Sequence, residues 1–188
     1  MNKIAVIYKS KYGFTESYAR WIAEDLSADL LQSDSVKHSD LQEYDVLIFG
    51  GGLYAGGLSG ISLLAKNFDS LKDKKIYIFT VGAADVTDPE NISSIRSSLS
   101  RTLTPSMQES VQIYHLRGGL RYSKMSFIHR TMMSMLVKMV RKKPENELSS
   151  EEEQMLESYG QDIDFTDRQT IETLVLSVKA IIKPYNSL

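Results

Sequence analysis

Ile4-Ala5-Val6-Ile7-Tyr8-Lys9-Ser10-Lys11-Tyr12-Gly13-Phe14-Thr15 decides how this chain is read. Ile4 to Tyr8 is a short β-prone run with apolar residues on both faces, which suits a central strand of a parallel sheet. From Glu16 to Leu26 the apolar residues recur at helical spacing. Ser10 to Thr15 therefore fills the turn from a strand into a helix, where the first N–H groups of the helix have no partner within it. Those N–H groups and the helix dipole favour an anion, to which Ser10 and Thr15 can donate hydroxyl hydrogen bonds. Gly13 lets the backbone turn tightly. The spacing S-x-x-G-x-T is neither the P-loop nor the dinucleotide pattern, and by itself it also describes an ordinary capped turn.

Outward from this stretch the strand-then-helix rhythm repeats. Ala28 to Leu31, Tyr44 to Phe49, Lys75 to Val81 and Val111 to Leu116 read as further strands. Gly60 to Asn67 and Pro89 to Leu103 suit helices, the second opened by Asp88 as a cap with Pro89 at the first helical position. A last amphipathic helix runs from Asp167 to Ile182 and ends at Pro184. Repeated βαβ units predict an α/β fold, an open five-stranded parallel sheet with helices on both faces, in one domain spanning residues 1–188. Arg117 to Phe165 does not fit a minimal sheet of this kind and reads as an insertion after the fifth strand.

Two more loops leave the same edge of the predicted sheet, where open α/β folds bind ligands. After the third strand comes Gly50-Gly51-Gly52-Leu53-Tyr54-Ala55-Gly56-Gly57. Its glycines allow close approach to a planar ligand, and Tyr54 offers a ring to cover one. After the fourth strand comes Val81-Gly82-Ala83-Ala84-Asp85-Val86-Thr87, whose small residues leave room for the other side of a ring. Asp85, Asp88 and Glu90 place acidic charge nearby, which would disfavour added negative charge on a reduced cofactor, although Asp88 also reads as a helix cap.

On these three loops the chain resembles the flavodoxin-like proteins: IAVIY with SKYGFT, DVLIFGGGLYAGG and IYIFTVGAAD stand in that family's order. The resemblance covers nearly the whole chain and implies strand order 2-1-3-4-5 and non-covalent FMN. It implies Ser10, Lys11, Tyr12, Gly13, Phe14 and Thr15 around the phosphate. Gly52, Leu53, Tyr54, Ala55, Gly56 and Gly57 would lie on one side of the isoalloxazine, and Val81, Gly82, Ala83, Ala84, Asp85 and Val86 on the other. Lys11, Tyr12 and Phe14 stand where the family usually carries hydroxyl residues. Leu116 to Tyr122, Ser126 to Arg130, Met132 to Val140 and Phe165-Thr166-Asp167 are similar to the menaquinone-dependent protoporphyrinogen IX dehydrogenases. That likeness implies an FMN oxidoreductase taking electrons from a reduced organic substrate, such as protoporphyrinogen IX, to a quinone. The rival reading is a flavodoxin-type electron carrier docking to protein redox partners, for which an acidic face around the flavin is expected.

Within the insertion, Lys124 to Val140 reads as a methionine-rich helix and Arg141 to Asp164 as a charged surface excursion. Met125, Ile128, Met132, Met135, Leu136 and Met139 make an apolar stripe among Lys124, His129, Arg130, Lys138, Arg141, Lys142 and Lys143. Such a helix fits an anionic membrane surface, the border of a site for a carboxylated tetrapyrrole, or packing against the sheet or a second subunit of a homodimer.

Composition narrows the chemistry. Without cysteine, the chain has no thiolate and no ligand for an iron–sulfur cluster, so redox work needs an organic cofactor. His38, His115 and His129 lack metal-ligand spacing and read as structural or solvent-facing. A formal charge of −2 from 22 basic and 24 acidic residues gives no footprint for nucleic acid. The start lacks the features of a secretory signal and no run reaches about eighteen apolar residues, so a cytoplasmic protein, peripheral at most to the membrane, is expected.

Overall fold

A computed structural model describes residues 2–54 and 57–182. Ala55, Gly56 and the expected helix stop at Pro184 lie outside them. The central sheet contains β1 (Ile4–Lys9), β2 (Asp29–Gln32), β3 (Val46–Tyr54), β4 (Gly57–Leu58), β5 (Lys75–Gly82) and β6 (Gln112–Arg117). Five of these run parallel in the order β2-β1-β3-β5-β6, and β4 folds back antiparallel on the end of β3. Counting only the parallel strands, this is the expected order 2-1-3-4-5. Helices α1 (Phe14–Leu26), α2 (His38–Leu41), α3 (Ser62–Asn67), α4 (Pro89–Leu99) and α5 (Pro105–Ser110) connect them.

Alternation along each strand divides the core in two. Ile4, Val6 and Tyr8 of β1 join Phe79 and Val81 under Tyr18 and Ile22 of α1 and under Leu174, Val175 and Val178 of the last helix. Ala5, Ile7, Leu47, Phe49, Ile76 and Ile78 point the other way, onto Leu64, Leu71, Leu99 and Leu103. Both faces of the sheet are thus covered, which is why its strands read as continuous apolar runs. The Asp88 carboxylate accepts the Glu90 N–H at 2.8 Å and Pro89 opens α4, as its sequence requires.

Two expectations need correction. Gly50, Gly51 and Gly52 lie inside β3, not in a loop after it. A Cβ on Gly50 would enter the ring of Phe79, and one on Gly51 would meet the Ser59 carbonyl and the Leu58 side chain. These glycines make room for a core aromatic and for the β3–β4 return. Residues 141–164 are also more than a surface excursion. After α6 (Phe127–Val140) the chain forms α7 (Ser150–Glu157), opened by a Ser149–Glu152 capping box, and then β8 (Asp162–Asp164). β8 pairs antiparallel with β7 (Gly119–Arg121) through Gly119–Asp164, Leu120–Ile163 and Arg121–Asp162. The final helix, α8 (Glu172–Ile182), follows a 3₁₀ turn at Arg168–Ile171.

Candidate functional site

The carboxyl ends of β1, β3 and β5 meet the insertion at one cleft of about 760 Å³, measured to its open mouth. Its sheet side is Tyr12, Phe14, Thr15, Leu53, Tyr54, Val81, Gly82 and Ala83; its far wall is Gly119, Leu120, Arg121, Met125, His129, Met132 and Met133. An apolar lining with few polar groups is typical of organic-cofactor sites.

At the floor, β1 ends at Lys9 and α1 begins at Phe14, with Gly13 at φ +97° as its N-cap. A glycine cap brings no side chain, so the first-turn N–H groups of α1 are left for another acceptor. The Gly13 N–H is held by the Ser10 hydroxyl oxygen at 3.1 Å, which leaves the Ser10 O–H free to donate. Thr15 is buried beneath the same turn. Glu16, an acid at the positive end of α1, is drawn sideways by Arg20 at 2.6 Å. The backbone N–H groups of Lys11 and Tyr12 act on the Tyr54 hydroxyl and oppose the upward push that burial gives its pKa.

Three rings stand above it. Tyr54 stacks on His129 with centroids 5.8 Å apart and planes at 24°, while Tyr12 meets both edge-on. The Tyr12 hydroxyl and His129 Nδ1 are 2.6 Å apart, a short hydrogen bond tying the phosphate-type loop to α6. His129, read as structural or solvent-facing, has such structural contacts and also lines the cleft. His115 is structural: its Nδ1 bonds the Thr80 hydroxyl at 2.8 Å, and burial, aided by the Arg96 charge, pushes its pKa down to about 4.

Arginines frame the far wall. Arg117 reaches the Ala83 carbonyl at 3.3 Å, Asp85 at 3.3 Å and Gln154 at 2.6 Å, and lies over the Phe165 ring. It thereby pins the loop after β5 to α7. Arg121 bonds Asp164 at 3.1 Å and sits over Phe14, 5.0 Å from the ring centroid, on the cleft surface. Gly118 and Gly119 permit this crossing, since a Cβ would strike Val81 at the first and the Ile163 carbonyl at the second.

The flavodoxin domain profile matches residues 5–147, three quarters of the sequence. The chain belongs to the flavodoxin domain family. An uncharacterized protein of Methanocaldococcus jannaschii is 33% identical over 79 residues, 42% of this chain, and the chain spans only 53% of that relative's length. Among solved structures, oxidised flavodoxin 1 of Bacillus cereus is similar at 22% identity, TM-score 0.42, over 61% of this chain and 84% of its own. A flavoprotein of Lactobacillus acidophilus in complex with FMN is similar at 13% identity and TM-score 0.39, over 62% and 93%.

For a flavodoxin domain, the candidate residues divide plainly. Tyr12, Phe14, Thr15, Leu53, Tyr54, Val81, Gly82 and Ala83 converge on the cleft, and Ser10, Lys11 and Gly13 build the loop beneath it. Gly52 is covered by the Tyr54 ring, and Gly57 lies in β4. Ala84, Asp85 and Val86 stand outside the lining; Asp85 instead accepts from the N–H and hydroxyl of Thr87 and from Arg117, which together hold its carboxyl below the usual range. Gly119, Leu120 and Arg121 were not among the candidates, although their place just past the last central strand is a signal that could have found them. Among the described residues no cluster of His, Asp or Glu is placed to hold a metal, and no helix is long and apolar enough to cross a membrane.

Proposed function

We propose that the chain binds FMN non-covalently in this cleft and acts as an oxidoreductase between a reduced organic substrate and a quinone-type acceptor. One juxtaposition carries the reading: an α1 N-terminus without a side-chain cap opens beneath an aromatic and methionine-lined cleft at the ligand-binding edge of the sheet. The residues fit the group, with N–H and hydroxyl donors for a phosphate at the floor and flat apolar walls above.

Bound FMN would supply the electron transfer; the chain supplies binding, orientation and a dry environment. The first-turn N–H groups, with the hydroxyls of Ser10 and Thr15, hold the phosphate. Leu53 and Tyr54 on one side and Val81 to Ala83 on the other flank the ring. Met125, Met132 and Met133 give a second apolar molecule a deformable surface to lie on. Arg121 offers its guanidinium to a substrate carboxylate, and the Tyr12–His129 pair holds a proton at the cleft.

Protoporphyrinogen IX is the donor that the resemblance suggests. The combination of Arg121 with the methionine wall supports a carboxylated, largely apolar substrate. An electron carrier docked to protein partners is less well supported, because Asp85 is paired with Arg117 and the cleft lining is largely apolar. The test is anaerobic: FMN-loaded protein mixed with protoporphyrinogen IX should bleach at the flavin band and recover with a menaquinone analogue. Holoprotein inert to both reagents rejects this substrate pair.

A further inference from the structure

The outer face of α6 is bare. Phe127 is 84% exposed, Ile128 67%, Met135 62% and Met139 66%, with Met132 and Leu136 also exposed. At 3.6 residues per turn these six fall on one side of the helix, while Val137 and Val140 are buried on the opposite side. A contiguous apolar face of this kind marks an interaction site.

Charge identifies the occupant. Residues 124–143 hold six lysines and arginines and no aspartate or glutamate. Lys138, exposed, lies three positions beyond Met135 on the helix, and Lys142, also exposed, follows just past the helix end at Val140. Two copies pairing through this face would bring their basic borders together, which like-charge repulsion opposes. A convex apolar helix rimmed by lysines matches instead an anionic lipid surface, where apolar side chains enter the acyl boundary and ammonium groups stay among the headgroups.

We propose that α6 is a lipid-docking helix that lies in the plane of an anionic membrane surface. Met132 belongs both to the exposed face and to the cleft lining, so docking sets the cleft mouth beside the lipid. A lipid-dissolved quinone-type molecule then reaches the cleft without crossing water. The docking itself does not depend on FMN; only its link to the acceptor rests on the proposed function.

Co-sedimentation with vesicles tests it, using the whole chain. Vesicles of phosphatidylglycerol with phosphatidylcholine should carry the protein down, phosphatidylcholine alone should bind about tenfold less, and salt should release it. The doubles Met135→Gln with Met139→Gln and Lys138→Glu with Lys142→Glu should each weaken binding about tenfold. These side chains are exposed and outside the cleft, so FMN affinity, measured in parallel, should not move. No sedimentation, equal binding to neutral vesicles, or a solution dimer broken by the methionine double without vesicle binding overturns the proposal. A chain that binds FMN but ignores vesicles sinks the docking alone; one that sediments but takes up no FMN sinks the flavin reading alone.

Discussion

Gly50 is a residue whose role changed between sequence and structure. A glycine run after an apolar strand reads as a ligand loop, because nothing in the local sequence announces that Phe79, on a neighbouring strand, needs the space above Gly50. Gly50→Ala should therefore destabilise the fold by about 2 kcal/mol through overpacking, whereas Gly57→Ala, whose Cβ meets among the described residues the Tyr54 carbonyl alone, at 3.8 Å, should stay within about 0.5 kcal/mol. Urea unfolding midpoints decide between these outcomes. His115 makes a second prediction at this scale. Its folded pKa of about 4 lies below the ordinary 6.5, so the unfolded chain takes up a proton that the folded chain refuses. This contribution is intact above pH 6.5 and is lost as pH falls toward 4. His115→Gln should flatten the fall in melting temperature across that window. His129 was missed for a related reason: its partner Tyr12 is 117 positions away, and no short motif joins them.

At the scale of elements, legibility followed periodicity. The parallel strands and α1 announce themselves through long apolar patterns, and α4 through its Asp88-Pro89 start. Asp88→Ala should cost about 1 kcal/mol by freeing the Glu90 N–H, read again by urea unfolding. β7 and β8 escaped because three-residue strands such as Asp162-Ile163-Asp164 have no period to detect. Their pairing depends on Gly118 and Gly119 letting the chain cross Val81, and on Asp162 bonding the backbone and hydroxyl of Ser123. α6 was legible as an amphipathic helix, but which side its apolar stripe would face was not. Val137 and Val140 are the buried side, and α6 packs against α7.

At the scale of the molecule, the topology was readable because each βα unit repeats the same pattern, and handed crossovers leave few ways to arrange five such units. The floor and sheet side of the cleft were readable for the same reason, since ligand loops gather at one edge of an open sheet. The far wall was not, because it comes from an insertion whose packing rests on long-range contacts such as Arg117 with Gln154 and Phe165. The central claim is that the uncapped start of α1 holds the phosphate of a flavin lying in this cleft. Fluorescence titration of the flavin-free protein with FMN and with riboflavin tests it most directly. Several charge-assisted hydrogen bonds to phosphate predict saturable FMN binding at least about tenfold tighter than riboflavin. Equal affinity for the two, or no saturable binding of FMN, would contradict the account.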